Sequence, residues 1–177
     1  LSGRAPFQVE NALAAAAAAW ALGLPHDAIR AGLETFRADR QDDPCRFNLV
    51  THGEATLAID DCHNVSALAA VVSALDRFPH PRRTAVYSAG DGRRDEDIVR
   101  QGEIMAGAFD RVVLYDDPST AARAKGDVPG LLRRGLALGP RVAEIIYVSD
   151  YREAVGRALD LLAPGELELV QSLDGDI

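Results

Sequence analysis

From Arg46 onward, short apolar segments of strand length alternate with longer segments that have helical spacing. Strands separated in this way are typical of a parallel sheet covered by helices on both faces. The pattern therefore predicts an α/β domain with three layers and a mostly parallel sheet. The predicted elements are a hairpin of strands 47–51 and 56–60, helix 65–77, strand 84–88, helix 95–108, strand 111–115, helix 128–138, strand 144–148, helix 151–162 and strand 166–170.

The part of the chain before this alternation shows only helical patterns. Alanine, the strongest helix former, dominates residues 11–24, which are predicted to form a helix. A second helix is predicted over 26–36, where apolar residues recur at helical spacing. The polar run 37–43, closed by Pro44, predicts a boundary between a helical segment, residues 1–43, and an α/β domain, residues 44–177.

Length and charge limit the classes of function. A chain of 177 residues suffices for one α/β domain with a core, and its net charge of −8 argues against a nucleic-acid partner. The sequence shows no signal peptide or apolar run that could span a membrane, so we expect a cytoplasmic protein without a membrane partner. Cys45 and Cys62 lack zinc spacing and are expected to be reduced thiols. Because the chain starts at Leu1 and its only methionine is Met105, we expect a piece of a longer protein.

Polar residues follow the second predicted strand as the run Asp60-Asp61-Cys62-His63-Asn64. Ligands of open α/β sheets bind at the carboxyl ends of strands, where the next helix offers free N–H groups. A carboxylate in the position of Asp60 is suited to bind sugar hydroxyls, although it could also cap the following helix. His63 has no partner at metal-ligand spacing, so it does not indicate a metal site.

A second corner of this kind, residues 88–95, follows the next strand. It contains Gly-x-Gly but lacks the third glycine of a dinucleotide fingerprint, and Gly-Lys-Ser/Thr occurs nowhere in the chain. Arg93 and Arg94 stand before a predicted helix, where guanidiniums could bind carboxylate or phosphate. They could equally form surface ion pairs with the acids at 95–97. A third loop, Asp116 to Arg123, is long enough to line a substrate pocket.

Four motifs together resemble the C-terminal portion of Mur-type ligases, and within that group they are most similar to cyanophycin synthetases. The motifs are the run Gly3 to Ala15 with its Phe-Gln-Val-Glu-Asn segment, then 46–48, 60–64 and 93–98. The resemblance spans residues 3 to 172. It implies a Rossmann-like C-terminal domain from residue 44, preceded by the helical tail of a central ATPase domain.

The resemblance also implies the reaction. An ATP-dependent ligase of this kind joins an amino acid, here arginine, to aspartate side-chain carboxylates through an acyl-phosphate. ATP is the implied cofactor, with Mg²⁺ held mainly by domains absent from this chain. The implied partners are the amino acid, an aspartate-containing peptide or polymer, and the remainder of the ligase, with assembly into a homo-oligomer left open. No metal site is expected in the chain itself.

The resemblance assigns site residues by position. Cofactor binding is expected at Gln8, Asn11, Arg46 and Asp60. Catalysis is expected at His63 and Asn64. Substrate binding is expected at Arg93, Arg94, Asp116, Asp117 and Arg123.

The chain departs from the family's pattern at several of these places. Cys45 and Cys62 stand where glycines are expected, and Val65 replaces a proline. These changes leave open a divergent binding or interaction module that kept the fold without the chemistry. A dinucleotide oxidoreductase, supported only by the incomplete glycine motif, ranks last. Because the phosphate-binding loop is missing, the chain alone is not expected to be active.

Overall fold

A computed structural model describes residues 3–39, 41 and 43–172. They contain six strands in one sheet and six α-helices. The strands are β1 (Asn48–His52), β2 (Ala55–Asp60), β3 (Arg83–Tyr87), β4 (Arg111–Leu114), β5 (Glu144–Tyr147) and β6 (Leu167–Gln171). The helices are α1 (Pro6–Ala21), α2 (His26–Thr35), α3 (Val65–Leu75), α4 (Asp95–Ala108), α5 (Asp127–Leu136) and α6 (Tyr151–Leu161).

The sheet has the strand order β1-β2-β6-β3-β4-β5. Strand β1 pairs with β2 as an antiparallel hairpin, whereas every other neighbouring pair is parallel. The prediction of an α/β fold with a mostly parallel sheet is confirmed. The last strand, β6, lies between β2 and β3, with Leu167 opposite both Thr56 and Arg83.

Helices cover both faces of the sheet. The side chains of the central strands point alternately to the two faces, so each face has an apolar core that a helix layer buries. On one face, Ala85 and Tyr87 of β3 join a core that includes residues of α3, α4 and α5. On the other face, Val86 packs with Ala154 and Ala158 of α6. The two cores fix the register of the central strands, since a one-residue shift would exchange their faces.

Helices α4 and α5 approach each other closely at two glycines. A Cβ atom on Gly135 would lie 2.0 Å from the carbonyl oxygen of Val99, and one on Gly102 would lie 2.3 Å from that of Leu132. Only hydrogen fits at these positions. The glycines therefore determine how tightly the two helices pack beside the sheet.

Helix α1 begins at Pro6, five residues before the predicted start at residue 11, and the fixed φ of proline suits the first helical turn. Neither α1 nor α2 has a buried residue, and Trp20 is 66% exposed. In contrast, the start of α1 contacts the α/β core, since the rings of Phe7 and Phe47 meet edge to face at 5.4 Å. No helix in the described part of the chain is long and apolar enough to cross a membrane.

Candidate functional site

Because β2, β6, β3 and β4 are parallel, their carboxyl ends meet at one edge of the sheet. A cleft of about 470 Å³ opens there. It lies between the loops that follow β2, β3 and β4, close to the start of α6. The residues that line it are Asp61, His63, Gly90, Asp91, Arg93, Tyr115, Asp117, Pro118, Ser119, Tyr151 and Ser172. We call it the edge cleft.

The loop after β2 orients an imidazole toward the edge cleft. Nδ1 of His63 lies 2.8 Å from both the carbonyl oxygen and Oδ1 of Asp61, so the neutral ring carries its proton on Nδ1 and donates it there. This tautomer leaves Nε2 as an acceptor. The same Asp61 carboxylate lies 3.8 Å from the Arg46 guanidinium. Asn64 caps α3, since its Oδ1 accepts a hydrogen bond from the backbone N–H of Ala67 at 2.9 Å.

Asp60 is the last residue of β2 and is only 8% exposed. Burial raises the pKa of its carboxyl to about 7, against the lowering effects of the backbone N–H of Phe47 and the charge of Arg46. Near neutral pH, a substantial fraction of Asp60 is therefore protonated and can donate a hydrogen bond. The turn that follows Asp60 is stabilised by the Tyr87 hydroxyl, which donates a hydrogen bond to the carbonyl oxygen of Cys62 at 2.6 Å.

The loop after β3 meets the loop after β2 directly. A Cβ atom on Gly90 would lie 3.6 Å from Cβ of His63, which is ordinary van der Waals contact. Arg93 lines the edge cleft, and its buried Nε has no hydrogen-bond partner among the described residues. Arg94 turns away instead and is held by Asp97 through two hydrogen bonds of 2.9 and 3.1 Å.

The loop after β4 contains a short 3₁₀ helix, Pro118–Thr120. Two predicted substrate residues in this region hold the loop itself. Asp116 accepts hydrogen bonds from the Tyr147 hydroxyl at 2.6 Å and the Gly126 N–H at 2.9 Å. Arg123 binds Asp95 and the carbonyl oxygen of Arg93, both at 2.8 Å, and so joins this loop to the loop after β3. Asp117, by contrast, lines the edge cleft.

The residues predicted to bind the cofactor lie together in a second cleft of about 520 Å³. Gln8 and Asn11 of α1 line one wall, and Arg46, Asp60 and Asn64 line another. The Gln8 amide also donates to the carbonyl oxygen of Arg46 at 3.3 Å, which ties α1 to this wall. The donor set fits a nucleotide, since carboxyl and amide groups can bind ribose and adenine and the 59% exposed guanidinium can bind phosphate. We call it the α1 cleft.

Sequence reasoning missed several residues at this edge, among them Tyr115, Tyr151, Gln171 and Ser172. They belong to no motif, and only the fold brings the last strand and α6 to the edge cleft. Among the described residues, seven buried side-chain polar atoms lack a hydrogen-bond partner, and five of them lie at this edge. The five belong to Ser88, Arg93, Asp117, Tyr151 and Gln171. Unsatisfied buried polar atoms are rare in native proteins, so this concentration indicates a ligand site. In the described part of the chain, no group of three or more His, Cys, Asp or Glu residues could hold a metal ion.

The sequence model of a protein family described as "Mur ligase, glutamate ligase domain" matches residues 45–172. This range includes every residue that lines the edge cleft. The chain belongs to the Mur ligase family. A cyanophycin synthetase from Trichormus variabilis is 32% identical over 170 residues, and one from Crocosphaera subtropica is 34% identical over 170 residues. Each match covers 96% of this chain and 19% of the relative, so the chain spans only a small part of the relatives' length.

Solved structures of other ligases share this fold. FolC from E. coli, in complex with ADP, matches with a TM-score of 0.67 at 22% identity, over 90% of this chain and 35% of that one. A pseudomurein peptide ligase type C from Methanothermus fervidus matches with a TM-score of 0.66 at 21% identity, over 94% of this chain and 33% of that one. The family model and the relatives together identify this chain as a Mur ligase domain that is similar to part of cyanophycin synthetase.

Proposed function

We propose that this chain acts as the C-terminal domain of an ATP-dependent amide ligase similar to cyanophycin synthetase. It would close over ATP and incoming arginine while arginine is joined to aspartate side-chain carboxylates. The observation that carries the proposal is the pair of clefts on either side of the loop after β2. Asp60 and Asn64 line the α1 cleft, while Asp61 and His63 line the edge cleft.

This arrangement suits a reaction that brings a nucleotide and an amine together. The nucleotide would occupy the α1 cleft and the amino acid would occupy the edge cleft, with the loop after β2 between them. The acceptor carboxylate would take the γ-phosphoryl group and release ADP. The amine would then attack the acyl carbon, forming the amide bond and releasing phosphate. Such chemistry needs positioning and charge stabilisation more than a protein nucleophile.

Two residues of the loop have properties that the reaction requires. A protonated Asp60 can donate a hydrogen bond to an anionic nucleotide without charge repulsion, and its pKa of about 7 supplies this form near neutral pH. In the neutral His63 ring Asp61 accepts the hydrogen bond from Nδ1–H, so Nε2 could accept the proton that an ammonium must lose before attack. Closure of the missing domains over both clefts would exclude water from the activated acyl group.

The test is an activity assay on the natural protein that contains this chain. Phosphate release and amide formation would be followed across a panel of amino acids, with a primer peptide that carries β-linked aspartate. We expect turnover that requires both ATP and arginine. We also expect His63→Gln to reduce kcat about 100-fold, within the range for a general base. Glu10→Gln, a change on the exposed face of α1, provides the control.

Absence of turnover with every amino acid, from a folded protein, would refute the ligase proposal. The same result would favour the second candidate, a binding module that kept the fold. An undiminished kcat in His63→Gln would remove the proton-accepting role from His63 and leave the ligase proposal standing.

A further inference from the structure

Tyr87 places a buried hydroxyl group next to the loop after β2. It is the last residue of β3, is fully buried, and packs in the same core as Cys62. Its hydroxyl oxygen lies 2.6 Å from the carbonyl oxygen of Cys62 and 2.7 Å from Oε1 of Gln101 in α4. Burial raises the pKa of this hydroxyl well above its usual range, so the group keeps its proton. One hydroxyl therefore connects the loop after β2 to the helix that follows β3.

This hydroxyl faces two oxygen acceptors with a single proton. A phenol donates one hydrogen bond, so Tyr87 cannot donate fully to Cys62 and to Gln101 at the same time. The Gln101 amide has its own constraint, because its Nε2 donates to the carbonyl oxygen of Asp97 at 3.2 Å. If the amide were rotated to donate to Tyr87, its oxygen would face that carbonyl oxygen instead. Gln101 therefore presents Oε1 to Tyr87 and competes with Cys62 for the proton.

The Cys62 carbonyl belongs to the peptide group that leads into His63. Tyr87 is the only hydrogen-bond donor among the described residues that reaches this carbonyl oxygen. The His63 N–H donates to the Asp61 carbonyl at 2.5 Å, and the Asp61 N–H donates to the Cys45 carbonyl at 3.0 Å. A displacement of the peptide between Cys62 and His63 would move the imidazole and change its contact with Asp61. The position of His63 therefore depends on the hydroxyl of Tyr87.

We propose that Tyr87 is a positioning residue, whose hydrogen bond to the Cys62 carbonyl holds His63 in its orientation toward the edge cleft, and that Gln101 weakens this bond by competing for its proton. This inference rests on the proposed function in that it takes His63 as the group that accepts a proton from the incoming amine. Tyr87 acts through His63 and touches no reacting atom. Because α4 begins directly after the loop that carries Arg93, a shift of α4 would change how firmly His63 is held.

The first test is amide hydrogen exchange, followed by mass spectrometry on the natural protein that contains this chain. Tyr87→Phe removes the hydroxyl and keeps the ring. We expect the segment 61–64 to exchange about 10-fold faster in this variant, since the net contribution of a neutral hydrogen bond corresponds to about that factor. The control Tyr147→Phe removes a hydroxyl from the end of β5, where it binds Asp116, and should leave exchange in 61–64 unchanged.

Gln101→Met changes the other partner of the same hydroxyl and has the opposite expectation. Met has no group that competes for the Tyr87 proton, so the proton goes to the Cys62 carbonyl. The Asp97 carbonyl keeps its backbone bond within α4, so the change creates no unsatisfied polar group. Exchange in 61–64 should stay equal to that of the unchanged protein or become slower. A thermal melt of each variant verifies that it is folded.

The second test is kinetic and uses the amide-formation assay described above. Tyr87→Phe should reduce kcat about 10-fold, whereas Gln101→Met should not reduce it. In the His63→Gln background, Tyr87→Phe should cause no further loss, because no imidazole remains to be positioned. A hydroxyl that merely supports the fold would instead reduce kcat by the same factor in both backgrounds.

Three results would overturn the positioning role. They are unchanged exchange of 61–64 in Tyr87→Phe, exchange in Gln101→Met as fast as in Tyr87→Phe, and an equal loss of kcat with and without His63. If Tyr87→Phe does not fold, Gln101→Met decides, since faster exchange in 61–64 would contradict the competition. Absence of turnover in the unchanged protein would refute the ligase proposal. Faster exchange in Tyr87→Phe would then still support its hold on the loop.

Discussion

Replacement of Glu168 by Gln is expected to stabilise the folded protein, and by more as the pH rises. Glu168 is the second residue of β6, is fully buried, and has no hydrogen-bond partner among the described residues for either carboxylate oxygen. The nearby Arg111 guanidinium is directed elsewhere, to Glu144 at 2.7 Å and to the carbonyl oxygen of Leu161 at 3.3 Å. Burial therefore dominates and raises the pKa of Glu168 from 4.5 to about 8, although Arg111 lowers it.

The size of the effect follows from the linkage between proton binding and folding. Between pH 4.5 and 8 the folded state holds the Glu168 proton more tightly than the unfolded chain, so the free energy of unfolding falls as pH rises. At pH 7, about 2.5 pH units above the unfolded pKa of 4.5, the loss of stability amounts to roughly 3 kcal/mol. Gln fills the same space and cannot ionise, so Glu168→Gln should recover about 3 kcal/mol at pH 7 and almost nothing at pH 4.5.

Urea denaturation followed by circular dichroism, repeated from pH 4.5 to 8.5, measures this difference. The exposed change Glu10→Gln is the matched control and should stay within about 0.5 kcal/mol at every pH. A stability difference between wild type and Glu168→Gln that does not vary with pH would refute the reasoning. It would mean that the carboxylate finds compensation in the folded state.

Three further changes have clear expectations. Gly135→Ala should destabilise the fold by about 3 kcal/mol in urea denaturation, because its Cβ would meet the Val99 carbonyl at 2.0 Å, whereas Gly130→Ala, with open space around it, should not. Asn64→Ala should cost about 1 kcal/mol in the same measurement, since it removes the cap of α3. Asp60→Asn should raise the melting temperature at pH 8, where the buried carboxylate is charged, and should retain nucleotide binding in a titration, since an uncharged amide can also donate a hydrogen bond. A lower melting temperature for Asp60→Asn at that pH would contradict the assigned burial cost.

The sequence was sufficient to predict most helices and strands because their signals are local. Helix α4 was predicted with its observed bounds, 95–108, and the hairpin was placed within one residue at both turn ends. The position of β6 between β2 and β3 could not be predicted in the same way. Which strands pair depends on the whole chain, and the apolar pattern of a central strand is the same wherever it inserts.

The sequence predicted where the candidate site lies better than it predicted which residues line it. The rule that ligands bind at the carboxyl ends of strands placed His63 and Arg93 at the observed edge. Arg94 shares the same motif yet pairs with Asp97, because a one-residue step in an extended segment reverses the side-chain direction. Tyr151 carries no sequence signal at all, since only the packing of α6 against the sheet brings it to the edge cleft.

The insertion of β6 has a consequence for how the chain acquires its structure. Among the described residues, strands β2 and β3 have no direct pairing and are bridged by β6, which follows the other five strands along the chain. The loops that carry His63 and Arg93 therefore come into register only after β6 has emerged from the ribosome. Such pairing between distant segments is slow and exposes unpaired strand edges in the meantime. A nascent chain stalled before residue 167 would present two separate halves of a sheet, each open to mispairing.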